Sequence, residues 1–222
     1  MSKSMQVSRG RDEKIATLIG DVVLSREEPD QAGLLQRMKG VLARANQLIP
    51  TVQPLTMTFG DEFQGAYSDL GLALEATLLL RLLLGQRPEL RFGLGWGEIS
   101  TMDPEQALLG QSGPAWWGAR AAIERVKDLE GRHRWPRAMR TWVGEEEKEF
   151  APLNAFLICR DQVLHRMDAK DRGIALGLFL GKRQEELVSE LGINQATISK
   201  RQKDRGASAL FRAHELLRGF LP

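Results

Sequence analysis

The chain has 222 residues and a formal net charge of +2, with 42% hydrophobic and 27% charged residues. This is the composition of an ordinary globular protein, and it excludes a mostly disordered chain. The charge is unevenly spread, because residues 159–222 hold 12 Lys and Arg against 8 Asp and Glu. A cationic surplus of that kind is compatible with contacts to phosphate groups.

Features that would direct the chain to a membrane or an oxidising compartment are not found in the sequence. The longest apolar run, Leu72 to Leu84, is interrupted by Glu75 and Arg81 and is too short to span a bilayer. No apolar core follows the charged first residues, so a secretory signal is not expected. The single cysteine, Cys159, fits a reducing compartment, and its apolar helical surroundings predict a core position. We therefore expect a cytoplasmic protein without membrane contacts.

Strand and helix signals alternate through the first part of the chain. Apolar β-rich runs predict four strands, the middle two forming a hairpin, at residues 15–20, 55–59, 63–67 and 90–99. Apolar spacing of three and four residues predicts helices that follow Asp30, Ser68-Asp69 and Gly113-Pro114. A further short strand signal lies at residues 139–143. This order predicts an α+β domain of the split-βαβ, ferredoxin-like type over residues 12–150.

From Pro152 onward the pattern is helical, which predicts an all-α domain over residues 151–222. Residues 183–204 within it have the pattern of a helix-turn-helix. Leu187 and Leu191 face inward from a first helix, and Gly192 makes the turn. Asn194 then caps a second helix, which Ile198 anchors. The flanking helices are expected to support this unit and to provide a dimer contact.

The second helix of this unit has a polar outer set that is suited to the major groove of double-stranded DNA: Gln195, Thr197, Ser199, Lys200, Arg201 and Lys203. We expect Gln195 at an adenine edge, Ser199 at a base or a phosphate, and the three cations at phosphates. Two positions depart from the usual pattern, since Val188 replaces a small residue and Arg201 an apolar one. The alternative is a helical hairpin that packs on the first domain and exposes a charged face.

Two aspartates stand where the predicted strands end. Asp21 follows the first strand and Asp61 lies in the hairpin, so a split-βαβ sheet brings both to one edge. Two converging carboxylates make a hard oxygen site for Mg²⁺ or Mn²⁺, ions that bridge nucleotide phosphates. The alternative is structural, because Gly-Asp is a common turn pair and a strand-terminal Asp often only caps a loop.

The strand predicted at residues 90–99 has one face without side chains. Gly93, Gly95 and Gly97 alternate with large residues, so they share one side of the strand. Such a face allows close approach of a ligand or of a second segment of backbone. Both possibilities stay open at this stage.

The order of these motifs resembles the palm domain of class III nucleotide cyclases and GGDEF proteins. The run Leu18-Ile19-Gly20-Asp21-Val22-Val23 is similar to the first-strand motif of cyclases, and Phe59-Gly60-Asp61-Glu62-Phe63 matches four of the five GGDEF letters. The resemblance implies a metal at Asp21 and Asp61. It also implies a nucleotide near Gly60, Glu62, Gly93, Gly95 and Gly97.

A closer resemblance is to the SatD family, which the chain is similar to over nearly its whole length. The segments that carry it are Gly20 to Arg26, Thr58 to Gly65, Gly113-Pro114-Ala115 and the C-terminal helix-turn-helix. This likeness implies a cyclase-type palm domain that is joined to a DNA-binding domain.

Several catalytic positions of the cyclases are not matched. Cyclases read the base with a Lys four positions before the hairpin Asp, where this chain has Met57. They stabilise the transition state with an Asn and an Arg four apart on the later helix, where this chain has Trp117 and Ala121. Arg120, one position away, is the candidate substitute for that Arg. Phe59 replaces the first glycine of the GGDEF motif.

The sequence thus predicts a regulator, but it leaves three functions open. In the first, the palm binds a nucleotide with a divalent ion and the tail of a homodimer binds DNA to control transcription. In the second, the palm is an active nucleotidyl cyclase or oligonucleotide synthase, and the tail serves assembly. In the third, the palm is purely structural and pairs two DNA-binding tails.

Overall fold

The computed structural model describes residues 14–101, 111–145, 148–218 and 220–221. The first two residues of the predicted palm domain, 12 and 13, lie outside these ranges. The described strands are β1 (Ile15–Val22), β2 (Gln53–Met57), β3 (Phe63–Tyr67), β4 (Leu90–Gly97), β5 (Ser100–Thr101), β6 (Gln111–Ser112) and β7 (Thr141–Val143). The described helices are α1 (Gln31–Leu48), α2 (Leu70–Leu84), α3 (Pro114–Leu129), α4 (Ala151–Arg166), α5 (Ala169–Phe179), α6 (Gln184–Leu191), α7 (Gln195–Asp204) and α8 (Ala207–Arg218).

Five of these strands form one sheet, in the order β2-β3-β1-β4-β7. Strand β1 runs antiparallel to both of its neighbours, β3 and β4, and β7 is parallel to β4. The first four strands therefore have the order of a split βαβ unit, with β1 between the hairpin and β4. The α+β class predicted from the sequence is confirmed. Its identification with a cyclase-type palm and a DNA-binding tail stays a prediction.

Each face of the sheet is covered by helices. From β1, Ala16 and Leu18 point into a core with α1 and α2, whereas Ile15 and Ile19 point toward α3. This alternation follows from the two-residue period of a strand. Asp21 has the same parity as Ile15 and Ile19, so its side chain belongs to the α3 face.

Helix α2 is buried along almost its whole length. It begins where the Asp69 carboxylate accepts a hydrogen bond from the Leu72 backbone N–H, at 2.8 Å. One side of α2 packs in the sheet core, and Leu78 and Leu82 pack in a second core with helices α5 to α8. The apolarity of α2 on all sides is consistent with a deeply buried helix or with a subunit contact, and within this chain the helix is deeply buried.

A buried ionic cluster also joins the sheet to the C-terminal helices. Asp161 of α4 is inaccessible to solvent, and its Oδ1 lies 2.7 Å from Arg81 Nη1 and 3.0 Å from Arg160 Nη2. Its Oδ2 accepts a hydrogen bond from the Arg140 backbone N–H, next to β7. Arg160 also donates to Thr77 of α2 and Thr141 of β7. Helices α2 and α4 are thus fixed to the sheet by charge as well as by apolar packing.

The described residues also bear on two other expectations, the position of Cys159 and the presence of a membrane-spanning helix. Cys159, predicted in the core, is exposed on α4, because the buried positions of that helix are taken by neighbours such as Leu157 and Arg160. In the part of the chain that the structure describes, no helix is both long enough and apolar enough to cross a bilayer.

Candidate functional site

Asp21 is the penultimate residue of β1 and lies opposite Arg91 of β4. Its Oδ1 lies 3.2 Å from Arg91 Nη1, and its Oδ2 lies 3.1 Å from the Lys127 Nζ on α3. The carboxylate is buried, with 6% of the residue exposed. Both of its oxygens therefore already face a cation that the protein supplies.

Asp61 lies at the tip of the hairpin, directly after Gly60. Gly60 has a φ of +62°, a left-handed conformation that glycine adopts readily, so its role in the turn is conformational. The Asp61 Oδ2 accepts a hydrogen bond from the Ser25 hydroxyl at 2.6 Å. Since Gly20 is paired with Phe63, Asp21 and Asp61 belong to the same end of the sheet, but each has its own partners.

The neighbouring Glu62 is held by α3. Arg120 donates two hydrogen bonds to its carboxylate, at 2.6 and 2.7 Å. The bond to Glu62 raises the pKa of Arg120, and this outweighs the lowering effect of partial burial. Arg120, the candidate catalytic arginine, and Glu62, a candidate nucleotide ligand, are thus paired with each other.

As they stand, these residues do not fit a divalent cation. Mg²⁺ and Mn²⁺ need several oxygen ligands at about 2.0–2.2 Å that are free of other cations. At Asp21 the two oxygens are shared with Arg91 and Lys127 instead. In the described ranges there is no group of three or more Asp, Glu, His or Cys side chains that could hold a metal. The Mg²⁺ or Mn²⁺ site predicted at Asp21 and Asp61 is therefore not supported by the donor geometry.

The glycine face of β4 is covered by the backbone of α3. A Cβ at Gly95 would lie 1.8 Å from the Ala115 carbonyl oxygen, and one at Gly93 would lie 2.1 Å from that of Ala119. Gly97 faces the first turn of the same helix. The prediction that these three glycines contact a nucleotide is corrected here: the bare face admits a second backbone, the other possibility that the sequence allowed.

A cleft of about 1000 Å³ opens beside the end of β1. It lies between the turn after β1, the loop after α2, and the ends of α4 and α5. Arg91 and Arg140 line it, and both are paired with Glu130. Arg87 also lines it and is exposed to solvent. A cleft of this size is large enough for a small-molecule ligand.

Arg172 of α5 lines the inner wall of this cleft. Its guanidinium donates to the carbonyls of Arg81 and Gly85 at the end of α2, and of Leu164 near the end of α4. The carbonyl ends of helices attract cations, which explains why this charge is tolerated inside. Burial nevertheless lowers the pKa of Arg172 to about 10. One side chain of α5 thus connects the cleft with two helix ends.

Helices α5, α6 and α7 pack around one apolar centre. Leu187 of α6 and Ile198 of α7 are both buried, as the helix-turn-helix pattern predicts. Gly192 ends α6 with a φ of +61°, and the Asn194 side chain accepts a hydrogen bond from the Thr197 N–H to cap α7. Gly177 of α5 allows Leu187 to pack closely against it. The three helices form a compact unit whose last member is largely exposed.

The outer set of α7 is only partly free. Gln195, Lys200 and Lys203 are exposed, while Thr197 and Ser199 are half-buried. Lys200 and Lys203 have no ion pair among the described residues. Arg201 differs, because its guanidinium is bound by Asp168 and Asp171 at the start of α5. The expectation that Arg201 contacts phosphate is therefore not supported, and an ion pair takes the place of the apolar anchor.

Sequence reasoning missed the cations at the end of the sheet that carries Asp21 and Asp61, here called the sheet end. Arg91 was detectable, because in antiparallel pairing it is opposite Asp21 once the register of β4 is known. Lys127 was not, since its meeting with Asp21 depends on how α3 crosses the sheet. Ser25 follows the same strand as Asp21, but nothing local in the sequence indicates a bond to Asp61.

The sequence profile of the SatD family matches residues 15–219, which is nearly the whole chain. The protein therefore belongs to the SatD family. No curated protein matches the chain.

Proposed function

We propose that this protein is a DNA-binding regulator, and that α7 is the helix that enters the major groove. The observation that carries the proposal is the α6–turn–α7 arrangement, in which Leu187 and Ile198 are buried and Lys200 and Lys203 are exposed. A helix that presents polar and cationic side chains while its anchors hold it against two others is suited to DNA. Transcription is the process that such binding would control.

The proposed partner is double-stranded DNA that is bound by a homodimer, since paired half-sites suit a symmetric reader. The test is fluorescence anisotropy with labelled duplexes of mixed sequence, at several salt concentrations. Reversing the charge of Lys200 and Lys203 together should weaken binding on the order of 100-fold, and should lower the salt slope by about 2.

The matched control is Lys39→Glu with Arg44→Glu, which makes the same change of net charge on exposed positions of α1. This control should bind DNA within about threefold of the wild type, because long-range attraction alone is weak at physiological salt. Equal losses in both double variants, or no loss in the α7 variant, would contradict the proposal.

We propose as a second function that the cleft beside β1, at one end of the five-stranded sheet, binds a small anionic ligand such as a nucleotide. The cleft beside β1 supports this, because it is large enough for such a ligand. Its lining holds four arginines and four glutamates, and Arg87 is the arginine among them that is exposed at the rim. Its connection to α7 supports regulation: Arg172 of α5 lines the cleft, and Asp168 and Asp171 of the same helix bind Arg201. A ligand that shifts α5 would also shift α7.

The enzymatic alternative is a cyclase or an oligonucleotide synthase. It can be distinguished from simple ligand binding because an enzyme would convert the nucleotide into new products. Mass spectrometry after incubation with the four NTPs, with and without Mn²⁺, should detect bound but unaltered nucleotide. New cyclic or linear products that disappear in Asp61→Ala would instead establish an enzyme. Nucleotide binding that leaves DNA affinity unchanged would argue against ligand control.

A further inference from the structure

The Lys127 ammonium occupies an unusual position between two carboxylates from different elements. Its Nζ lies 3.1 Å from Asp21 Oδ2 on β1 and 3.0 Å from Glu124 Oε1 on its own helix. Arg91 holds the other Asp21 oxygen at 3.2 Å and continues to Glu130 at 2.6 Å. Every one of these contacts joins a cation with a carboxylate.

We propose that Lys127 takes the place of a divalent cation at Asp21, so that this end of the sheet binds its ligands without a metal. The inference goes beyond the proposed regulator and does not depend on DNA binding by α7. Arg91, which contacts Asp21, also lines the cleft, so a phosphate-bearing ligand of the cleft, if the second proposed function holds, would meet protein cations directly. A bridging Mg²⁺ is then not needed.

The charges around Asp21 support this assignment. A divalent ion is attracted to carboxylates whose charge is not yet compensated. Asp21 faces two cations, Lys127 and Arg91, while Glu124 and Glu130 compensate those cations from the outside. A metal entering this group would meet two positive charges within a few ångströms, with little net negative charge to attract it.

Lys127 is also held firmly in its charged form. Partial burial lowers its pKa, but the bonds to Glu124 and Asp21 outweigh that effect, so its pKa is raised. The side chain is still 35% exposed, which means that the lysine can be replaced without opening the core. The site is therefore accessible to a direct test.

The test is Mn²⁺ titration of the full chain, followed by electron paramagnetic resonance of the free ion. The wild type is expected to bind no Mn²⁺ at Asp21 up to about 1 mM. Lys127→Gln, which keeps most of the aliphatic stem, should bind one Mn²⁺ at least about tenfold more tightly, because the cation between Asp21 Oδ2 and Glu124 is then removed and Arg91 compensates only the other Asp21 oxygen. Adding Asp21→Asn to this variant should abolish the gain.

The control variant is Lys39→Gln, an exposed lysine on α1 that removes the same charge elsewhere. It should not gain Mn²⁺ binding. Stoichiometric Mn²⁺ binding by the wild type that is lost in Asp21→Asn would overturn the proposal. A Lys127→Gln protein that is folded by circular dichroism but gains no Mn²⁺ would overturn it too. Neither result would bear on the DNA affinity of α7, which is measured separately.

Discussion

The charged groups of the sheet end and those of α7 are in opposite situations. At the sheet end, Asp21, Lys127 and Arg91 are joined in one set of ion pairs within the protein. On the outer face of α7, Lys200 and Lys203 project into solvent without an ion pair among the described residues. A charge that already has an internal partner gains little from an external one, whereas a free cation gains from each phosphate it meets.

This difference separates two motifs that look equally functional in the sequence. The acidic motif around Asp61 matches four of the five letters of a catalytic hairpin, but its carboxylates are bonded to Ser25 and Arg120 within the protein. The helix-turn-helix pattern predicted for residues 183–204 is matched less well by the sequence, yet Lys200 and Lys203 on its outer side are exposed. The partners of a charged group in the structure are therefore a second criterion for its role, beside the motif in which it stands.

The largest effect is expected where the paired charges are most deeply buried. Asp161→Asn keeps the shape of the side chain but leaves Arg81 and Arg160 without a carboxylate partner in the interior. Removing one member of a buried ionic cluster costs about 3–5 kcal/mol, because the remaining charges stay desolvated. The free energy of unfolding, measured by urea denaturation, should fall by that amount.

The control for this variant is Asp128→Asn, which removes an exposed pair between Asp128 of α3 and Arg132 in the loop that follows. It should change the free energy of unfolding by less than about 1 kcal/mol, since surface pairs contribute little. If Asp161→Asn lowered the free energy of unfolding as little as this control does, burial of an ion pair would make no difference to its contribution to stability. The contrast between charges paired inside the protein and charges exposed to solvent would then not hold.

A second effect concerns the glycine face of β4. Gly95→Ala places a methyl group against the Ala115 carbonyl, where the neighbouring backbone has no room to move aside. Overpacking of this kind costs about 1–3 kcal/mol or more. Gly40→Ala on the exposed side of α1 meets nothing within 4 Å and should stabilise the helix by roughly 0.5–1 kcal/mol.

Thermal and urea unfolding of the two alanine variants would measure this contrast. Opposite signs for Gly95→Ala and Gly40→Ala are expected. If Gly95→Ala were tolerated while nucleotide binding was lost, the glycine face would be a ligand surface after all, and the sheet end would not be filled by α3.

Much of the fold could be predicted from local signals. The four strands from β1 to β4 were found from their β-rich composition, and Asp30 and Asp69 were identified as the caps that begin α1 and α2. Gly192 and Asn194 likewise marked the turn between α6 and α7. These features depend on residues close in sequence, so no tertiary information was needed.

The partners of the charged residues could not be predicted in the same way. Lys127 meets Asp21 only because α3 crosses the sheet beside β1, and Arg201 meets Asp168 only because α7 packs against the start of α5. An apolar pattern shows which face of a helix is buried, but it does not show which carboxylate that face will meet. The chemistry inferred for Asp21 and Arg201 changed for that reason.

The smallest effect is expected at Arg201. This residue tests whether a paired cation and an unpaired cation on the same helix, α7, differ in their contribution to DNA binding. Arg201→Leu removes the ion pairs with Asp168 and Asp171 but supplies the apolar anchor that the helix-turn-helix pattern favours at this position. We expect a change in stability within about 1 kcal/mol, because the pair with Asp168 is partly exposed and the new apolar contact of the leucine offsets the loss of the cation at the buried Asp171. DNA affinity should stay within about threefold, because Arg201 faces α5.

Lys200→Leu on the outer face is the matched control and should weaken DNA binding by roughly tenfold. A larger loss of affinity in Arg201→Leu than in Lys200→Leu, at equal helicity by circular dichroism, would mean that Arg201 leaves its carboxylates to contact phosphate. Pairing within the free protein would then not be a guide to which charges are available.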